Sequence, residues 1–195
     1  TGSRAWQAAP GEGHLATTGD KSGVWRARGR APQKLAALGF TAEGMDESQP
    51  FARMPDSFDP AVSWIFDGIG ADELIGAFGL GLGGAAGLEL DRYDLTLGTP
   101  PHTMLIAASF GHSDNYPLVS EDITYAFPGR GGTQDPQVRS DMAYYATDTG
   151  GAVFAAGSIA WSQALPINGG DNNVGRILTN VLNAFVGSDA LPPVA

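Results

Sequence analysis

A single carboxylate, Glu89, follows a stretch of chain that has almost no side chains. Residues 79–87 contain five glycines and two alanines. Glycine costs backbone entropy on folding, so such a run is typical of a backbone that turns sharply or approaches another group closely. A carboxylate at the end of it can lie in a tight, partly dry site, where burial and neighbours shift its pKa. Glu89 is therefore the first candidate for a catalytic residue.

Two other interpretations of this run stay open. Gly79, Gly81 and Gly84 satisfy the G-x-G-x-x-G dinucleotide fingerprint. That fingerprint should open a helix after a buried strand, whereas Gly98-Thr99-Pro100-Pro101 soon follows and cannot extend one. A sugar- or nucleotide-binding loop is thus a weak alternative. The other alternative is a structural turn that leaves Glu89 solvated.

His112 is the second candidate catalytic residue. It follows the apolar run 102–109, which predicts a buried strand. Ligands of open α/β sheets gather at the carboxyl ends of strands. The alternative is a loop histidine that hydrogen-bonds a carbonyl. His14, His102 and His112 lack the spacing of a local metal site, so we predict no metal ligand among them.

Apolar patterning predicts the elements of the core. Residues 62–66 predict a short strand, and 142–147 with 152–159 predict a β-hairpin. Trp161 follows the hairpin and either walls an apolar pocket or packs in the core. Residues 171–187 predict an amphipathic helix, capped by Asp171 or Asn172 and ended by Gly187.

Residues 1–50 have little periodicity and contain Trp6 and Trp25. An irregular segment cannot bury two tryptophans by itself. We therefore expect an arm over 1–50 that packs on another domain or subunit. Residues 51–195 are expected to form the C-terminal part of an α/β domain.

Composition limits the partners. The formal net charge is −10, which disfavours nucleic acid and anionic membranes as partners. The sequence has no run of 18 apolar residues, so it predicts no membrane span. The chain has no cysteine, which excludes thiolate chemistry and favours a cytoplasmic location.

Taken in order, several motifs give the chain a family resemblance over about residues 10–187. The motifs are Gly39-Phe40-Thr41-Ala42-Glu43-Gly44, Gly83-Gly84-Ala85-Ala86-Gly87-Leu88-Glu89-Leu90-Asp91-Arg92, Gly98-Thr99-Pro100-Pro101, Gly150-Gly151-Ala152-Val153-Phe154, Gly157-Ser158-Ile159-Ala160-Trp161 and Asp171-Asn172-Asn173-Val174. With these motifs in this order, the chain resembles the C-terminal region of the large (beta) subunits of N,N-dimethylformamidases.

The resemblance implies a class I glutamine-amidotransferase-like (flavodoxin-like) α/β sheet without the cysteine nucleophile. It implies hydrolysis of a small formamide to dimethylamine and formate. It also implies a mononuclear iron held by two tyrosines and one glutamate upstream of this region. Tyr93, Tyr144, Tyr145 and Glu43 are therefore not assigned as ligands. The expected partners are the rest of the large subunit and a small subunit, in an oligomer.

Within the site, the resemblance implies that Glu89 is the active-site carboxylate. Because dimethylformamide is small and has no N–H donor, we expect an apolar pocket closed by aromatic residues such as Phe110 and Trp161. Leu88 departs from the family pattern, since relatives often have an aromatic residue there, which leaves the exact amide open. A non-catalytic assembly module is the alternative function.

Overall fold

Two antiparallel sheets and one long helix form the part of the chain that the structure describes. This computed structural model describes residues 29–119 and 126–187. The elements are α1 (Gln33–Ala36), β1 (Leu38–Glu43), β2 (Ala52–Arg53), β3 (Glu89–Tyr93), β4 (Met104–Ser109), β5 (Ser140–Ala146), β6 (Ala152–Ala156), α2 (Ala160–Ala164) and α3 (Asn173–Val186). Strands β2-β4-β5-β6 form one sheet, and β1 pairs with β3 in the other.

The central strand β5 is buried on both faces. Successive side chains of a strand point to opposite faces. Met142 and Tyr144 pack in the main core, which also contains the apolar stripe of α3. Ala143 and Tyr145 pack on the other face, in a cluster with Leu38 of β1. The four-stranded sheet therefore lies between α3 and the two-stranded sheet.

Gly157 joins the two sheets through its backbone. Its N–H donates to the Asp141 carbonyl at 2.9 Å, and its carbonyl accepts from the Asp91 N–H at 2.7 Å. A Cβ at Gly157 would overlap the backbone oxygen of Asp91 and lie 2.8 Å from that of Asp141. The Asp141 carboxylate adds a second link, because it accepts from the Tyr93 N–H at 2.8 Å. These contacts fix β3 against β5.

The predicted hairpin and helix are confirmed. Strands β5 and β6 pair antiparallel from Ala146 opposite Ala152 onward. Helix α3 begins after Asn172, whose side chain accepts from the Gly175 N–H at 2.8 Å. It is the longest helix described. In this part of the chain, no helix has both the length and the apolar character needed to cross a bilayer.

The predicted strand at 62–66 is wrong. Residues Ser63–Phe66 form a 3₁₀ helix that buries Ile65 and Phe66 in the main core. Asp59 starts this turn, because its carbonyl accepts from the N–H groups of Val62 and Ser63. A short apolar run fits a buried strand and a buried helical turn equally well, so periodicity could not separate them.

Part of the predicted arm belongs to the two-stranded sheet, since β1 lies within residues 1–50 and pairs with β3. Trp6 and Trp25 lie outside the described residues, and packing of the arm on another domain stays a prediction. All four strand pairs described are antiparallel. A flavodoxin-like sheet is mostly parallel, so the glutamine-amidotransferase-like assignment also stays a prediction.

We expect Gly157→Ala to destabilise the protein by about 1–3 kcal/mol, because the added methyl group must push apart two backbone segments. Denaturant unfolding measures this loss. The matched control is Gly70→Ala, where a Cβ would meet its nearest atom at an ordinary 3.4 Å. The control should change stability by less than about 0.5 kcal/mol. Equal midpoints for the two variants would contradict the assigned role of Gly157.

Candidate active site

Two carboxylates face each other across the small sheet. Glu89 begins β3 and lies opposite Glu43, the last residue of β1. Both residues are half-buried. Side chains at directly opposed positions of an antiparallel pair are neighbours, and like charges there destabilise the pair. The fold therefore holds two acidic groups together, and their repulsion lowers its stability.

Burial raises the pKa of Glu89 above its ordinary value, and the neighbouring charge of Glu43 raises it further. Both effects favour the neutral acid. Because the folded-state pKa is the higher one, Glu89 costs stability at neutral pH. That cost is relieved as the pH falls through the raised pKa toward 4.5. A carboxyl group with a raised pKa is suited to proton transfer near neutral pH.

The backbone turns sharply just before the Glu89 side chain. The Glu89 N–H donates to the Gly87 carbonyl at 2.8 Å, which closes a three-residue turn. The central residue, Leu88, has φ of +66°. Positive φ is unfavourable for a residue with a branched side chain and costs about 1–3 kcal/mol. Such strain persists only where neighbouring groups hold it, and it is common at functional sites.

Neighbouring groups hold this turn on both sides. The Ser158 hydroxyl both accepts from the Gly87 N–H and donates to the Gly87 carbonyl, each at 2.8 Å. The Leu88 carbonyl accepts from the Gly44 N–H at 3.0 Å. A Cβ at Gly87 would overlap the Ser48 side chain. The close backbone approach predicted for the glycine-rich run is thus confirmed.

His112 is fully buried beside Tyr116, whose hydroxyl accepts from the Leu88 N–H of this turn. Its Nε2 is 3.3 Å from the Ser109 hydroxyl, and its Nδ1 has no hydrogen-bond partner among the described residues. Its ring centroid lies 5.1 Å from that of Tyr116. Burial lowers the pKa of His112 to about 4, so the imidazole is neutral at pH 7. A catalytic role for His112 stays a prediction.

The two predicted pocket residues lie in different surroundings. Phe110 is 53% exposed, whereas Trp161 is 8% exposed and packs edge-on against Phe51 in the core. Their role as pocket walls stays a prediction. A cavity of about 310 Å³ lies at α1, lined by Arg30, Ala31, Lys34 and Leu35, and includes none of the predicted site residues.

In residues 29–119 and 126–187, no group of three or more His, Cys, Asp or Glu side chains could hold a metal ion. Glu43 and Glu89 supply two carboxylates, whereas catalytic metal sites typically have three protein ligands.

Three residues of this site were not predicted from the sequence. They are Glu43, Tyr116 and Ser158. Glu43 faces Glu89 only through strand register, and Tyr116 and Ser158 reach the turn through tertiary contacts. Two of them lie in the motifs quoted above, Glu43 in Gly39–Gly44 and Ser158 in Gly157–Trp161.

Acid should destabilise the protein through His112. The unfolded imidazole binds a proton below pH 6.5, but the folded one does so only below about 4. The free energy of unfolding should therefore fall by about 3 kcal/mol as the pH drops through that window. Glu89 opposes this trend, so the measurement is the difference between the wild-type and His112→Asn curves of stability against pH. Parallel curves between pH 6.5 and 4 would contradict the assignment.

Comparison with known proteins reveals close kinship. The family model described as "N,N-dimethylformamidase beta subunit-like, C-terminal" matches residues 1–174. The chain is 47% identical over 193 residues to proteins named N,N-dimethylformamidase beta subunit from an Alcaligenes species and from Paracoccus aminophilus. Each match covers 99% of this chain and 25% of the relative, so the chain spans about a quarter of their length. This chain belongs to the N,N-dimethylformamidase beta subunit-like, C-terminal family.

Proposed function

We propose that this chain is the C-terminal part of an amide-hydrolysing subunit of the N,N-dimethylformamidase type, in which Glu89 transfers the proton. Family membership supports the reaction class. The observation that carries the role of Glu89 is its position: a half-buried carboxylate at the end of a strained turn, opposite Glu43.

The substrate in this proposal is N,N-dimethylformamide or a related small amide. The names of the relatives support this choice. Such an amide offers one carbonyl acceptor and no N–H donor. Its hydrolysis yields formate and dimethylamine. Phe110 and Trp161 remain the proposed aromatic walls of an apolar pocket.

The reaction needs one group that first accepts a proton and then donates it. The oxygen of water bonds to the carbonyl carbon, the C–N bond breaks, and a proton from the water reaches the departing nitrogen. Ionised Glu89 accepts that proton as the C–O bond forms. The resulting acid then donates it to the amine nitrogen, and Glu89 returns to its ionised form.

The rest of the site is proposed to come from outside these 195 residues. An iron ion held by two tyrosines and one glutamate of the upstream region would act as a Lewis acid when bound. The remainder of the beta subunit and a small subunit are the proposed partners, in a cytoplasmic oligomer. On this proposal the isolated chain neither hydrolyses the amide nor binds iron tightly.

In the assembled enzyme, Glu89→Gln should lower kcat by about 10²–10⁴-fold, because the amide cannot accept the proton. Glu89→Asp, which retracts the carboxylate by one methylene group, should give an intermediate kcat. Glu89→Gln should also raise the midpoint of unfolding at neutral pH, since it removes a partly buried charge beside Glu43. Turnover, metal content and stability are to be measured on one preparation.

The assembly-module alternative makes the opposite prediction. If Glu89 only holds the loop, Glu89→Gln lowers stability or assembly, while kcat per assembled site stays near the wild-type value. That result would overturn the proposed catalytic role.

Glu43→Gln should shift the pH profile of kcat/KM. Removing the neighbouring charge lowers the pKa of Glu89, so the acid limb of the profile should move to lower pH. Glu47→Gln is the matched control, because Glu47 is an exposed glutamate outside the strand pair. An acid limb that moves equally in both variants would refute the pairing of Glu43 with Glu89.

A further inference from the structure

The Tyr116 hydroxyl lies between the two strand ends that carry the acidic pair. Tyr116 is fully buried. Its hydroxyl accepts a hydrogen bond from the Leu88 N–H at 3.2 Å and donates one to the Asp46 carbonyl at 2.9 Å. Leu88 directly precedes Glu89, and Asp46 lies three residues after Glu43. One side-chain oxygen therefore connects the segments that hold both carboxylates.

The ring of Tyr116 also packs closely, against the backbone of Gly44. A Cβ at Gly44 would lie 2.9 Å from ring carbons of Tyr116. The Gly44 N–H in turn donates to the Leu88 carbonyl at 3.0 Å. Leu88 is thus held by its N–H through Tyr116 and by its carbonyl through Gly44. These two bonds restrain the residue whose φ of +66° is unfavourable.

Loss of the hydroxyl would leave the Leu88 N–H without this partner. A peptide group that loses its partner inside a protein favours any rearrangement that restores a hydrogen bond. For Leu88 the available rearrangement is relaxation toward negative φ, which also removes the strain. Such a rotation moves the next residue, Glu89, away from its position beside Glu43.

We propose that Tyr116 is a positioning residue for Glu89: its hydroxyl holds the strained turn that presents the carboxylate. This inference rests on the proposed function, since positioning matters only if Glu89 acts in the reaction. Tyr116 acts through the backbone of Leu88.

The test is Tyr116→Phe in the assembled enzyme, which keeps the ring and removes only the hydroxyl. We expect kcat to fall about 10- to 100-fold, because a displacement of about 1 Å at a reacting group costs that much. KM should change little. The acid limb of the pH profile should move to lower pH as Glu89 leaves its buried position beside Glu43.

Tyr145→Phe is the matched control. Tyr145 is also buried, and its hydroxyl donates to a backbone carbonyl, that of Leu35, at 2.6 Å. Its removal should lower stability while kcat and the pH profile stay at wild-type values. A purely structural role for Tyr116 would make the two variants alike and would overturn the inference.

A double-mutant cycle with Leu88→Gly makes the test specific to the turn. Glycine adopts positive φ without strain, so the turn no longer depends on the hydroxyl. Tyr116→Phe should therefore reduce kcat much less in the Leu88→Gly background than in the wild type. An equal reduction in both backgrounds would also overturn the inference.

Glu89→Gln, assayed alongside, separates the two proposals. If Glu89→Gln keeps full activity, the proposed function fails whatever Tyr116 does. If Glu89→Gln is inactive and Tyr116→Phe matches Tyr145→Phe, only the positioning role fails.

Discussion

The close backbone approach at Gly157 is the constraint on which the site depends. With no side chain at this position, β3 can lie directly against the junction of β5 and β6, where the Asp91 N–H donates to the Gly157 carbonyl. The buried Asp141 carboxylate strengthens the same junction by accepting from the Tyr93 N–H. The Tyr93 end of β3 is thereby fixed, and the Glu89 end joins the preceding chain through the turn at Leu88. The position of Glu89 follows from this arrangement.

Three features that lower the stability of the protein lie together at that turn. Leu88 has positive φ, Glu89 is half-buried, and the opposite residue Glu43 has the same charge. Each of these lowers stability. This concentration of strain and charge at one carboxylate is typical of sites selected for chemistry rather than for stability.

Local signals in the sequence predicted the elements whose determinants are local. The apolar stripe and a cap at Asp171 or Asn172 predicted α3, in which Asn172 is the cap, and the runs 142–147 and 152–159 predicted the β5–β6 hairpin. The glycine-rich run predicted Glu89 as a candidate catalytic residue and a close backbone approach before it. Sequence could not predict Glu43 as its neighbour, because strand register depends on the tertiary fold. The hydroxyls of Tyr116 and Ser158 were missed for the same reason. His112 follows β4 as predicted. The burial of the His112 ring depends on the packing of Tyr116 beside it, which the sequence does not show.

The fold places Glu89 where burial and the charge of Glu43 raise its pKa above the ordinary value. The most direct measurement is a titration of the Glu89 side-chain carboxyl carbon by ¹³C NMR in the assembled enzyme, with Glu89→Gln identifying its resonance. We expect this carboxyl group to titrate above the ordinary glutamate value of 4.5. Titration at or below 4.5 would contradict this assignment, because the group would then be solvated and separated from Glu43.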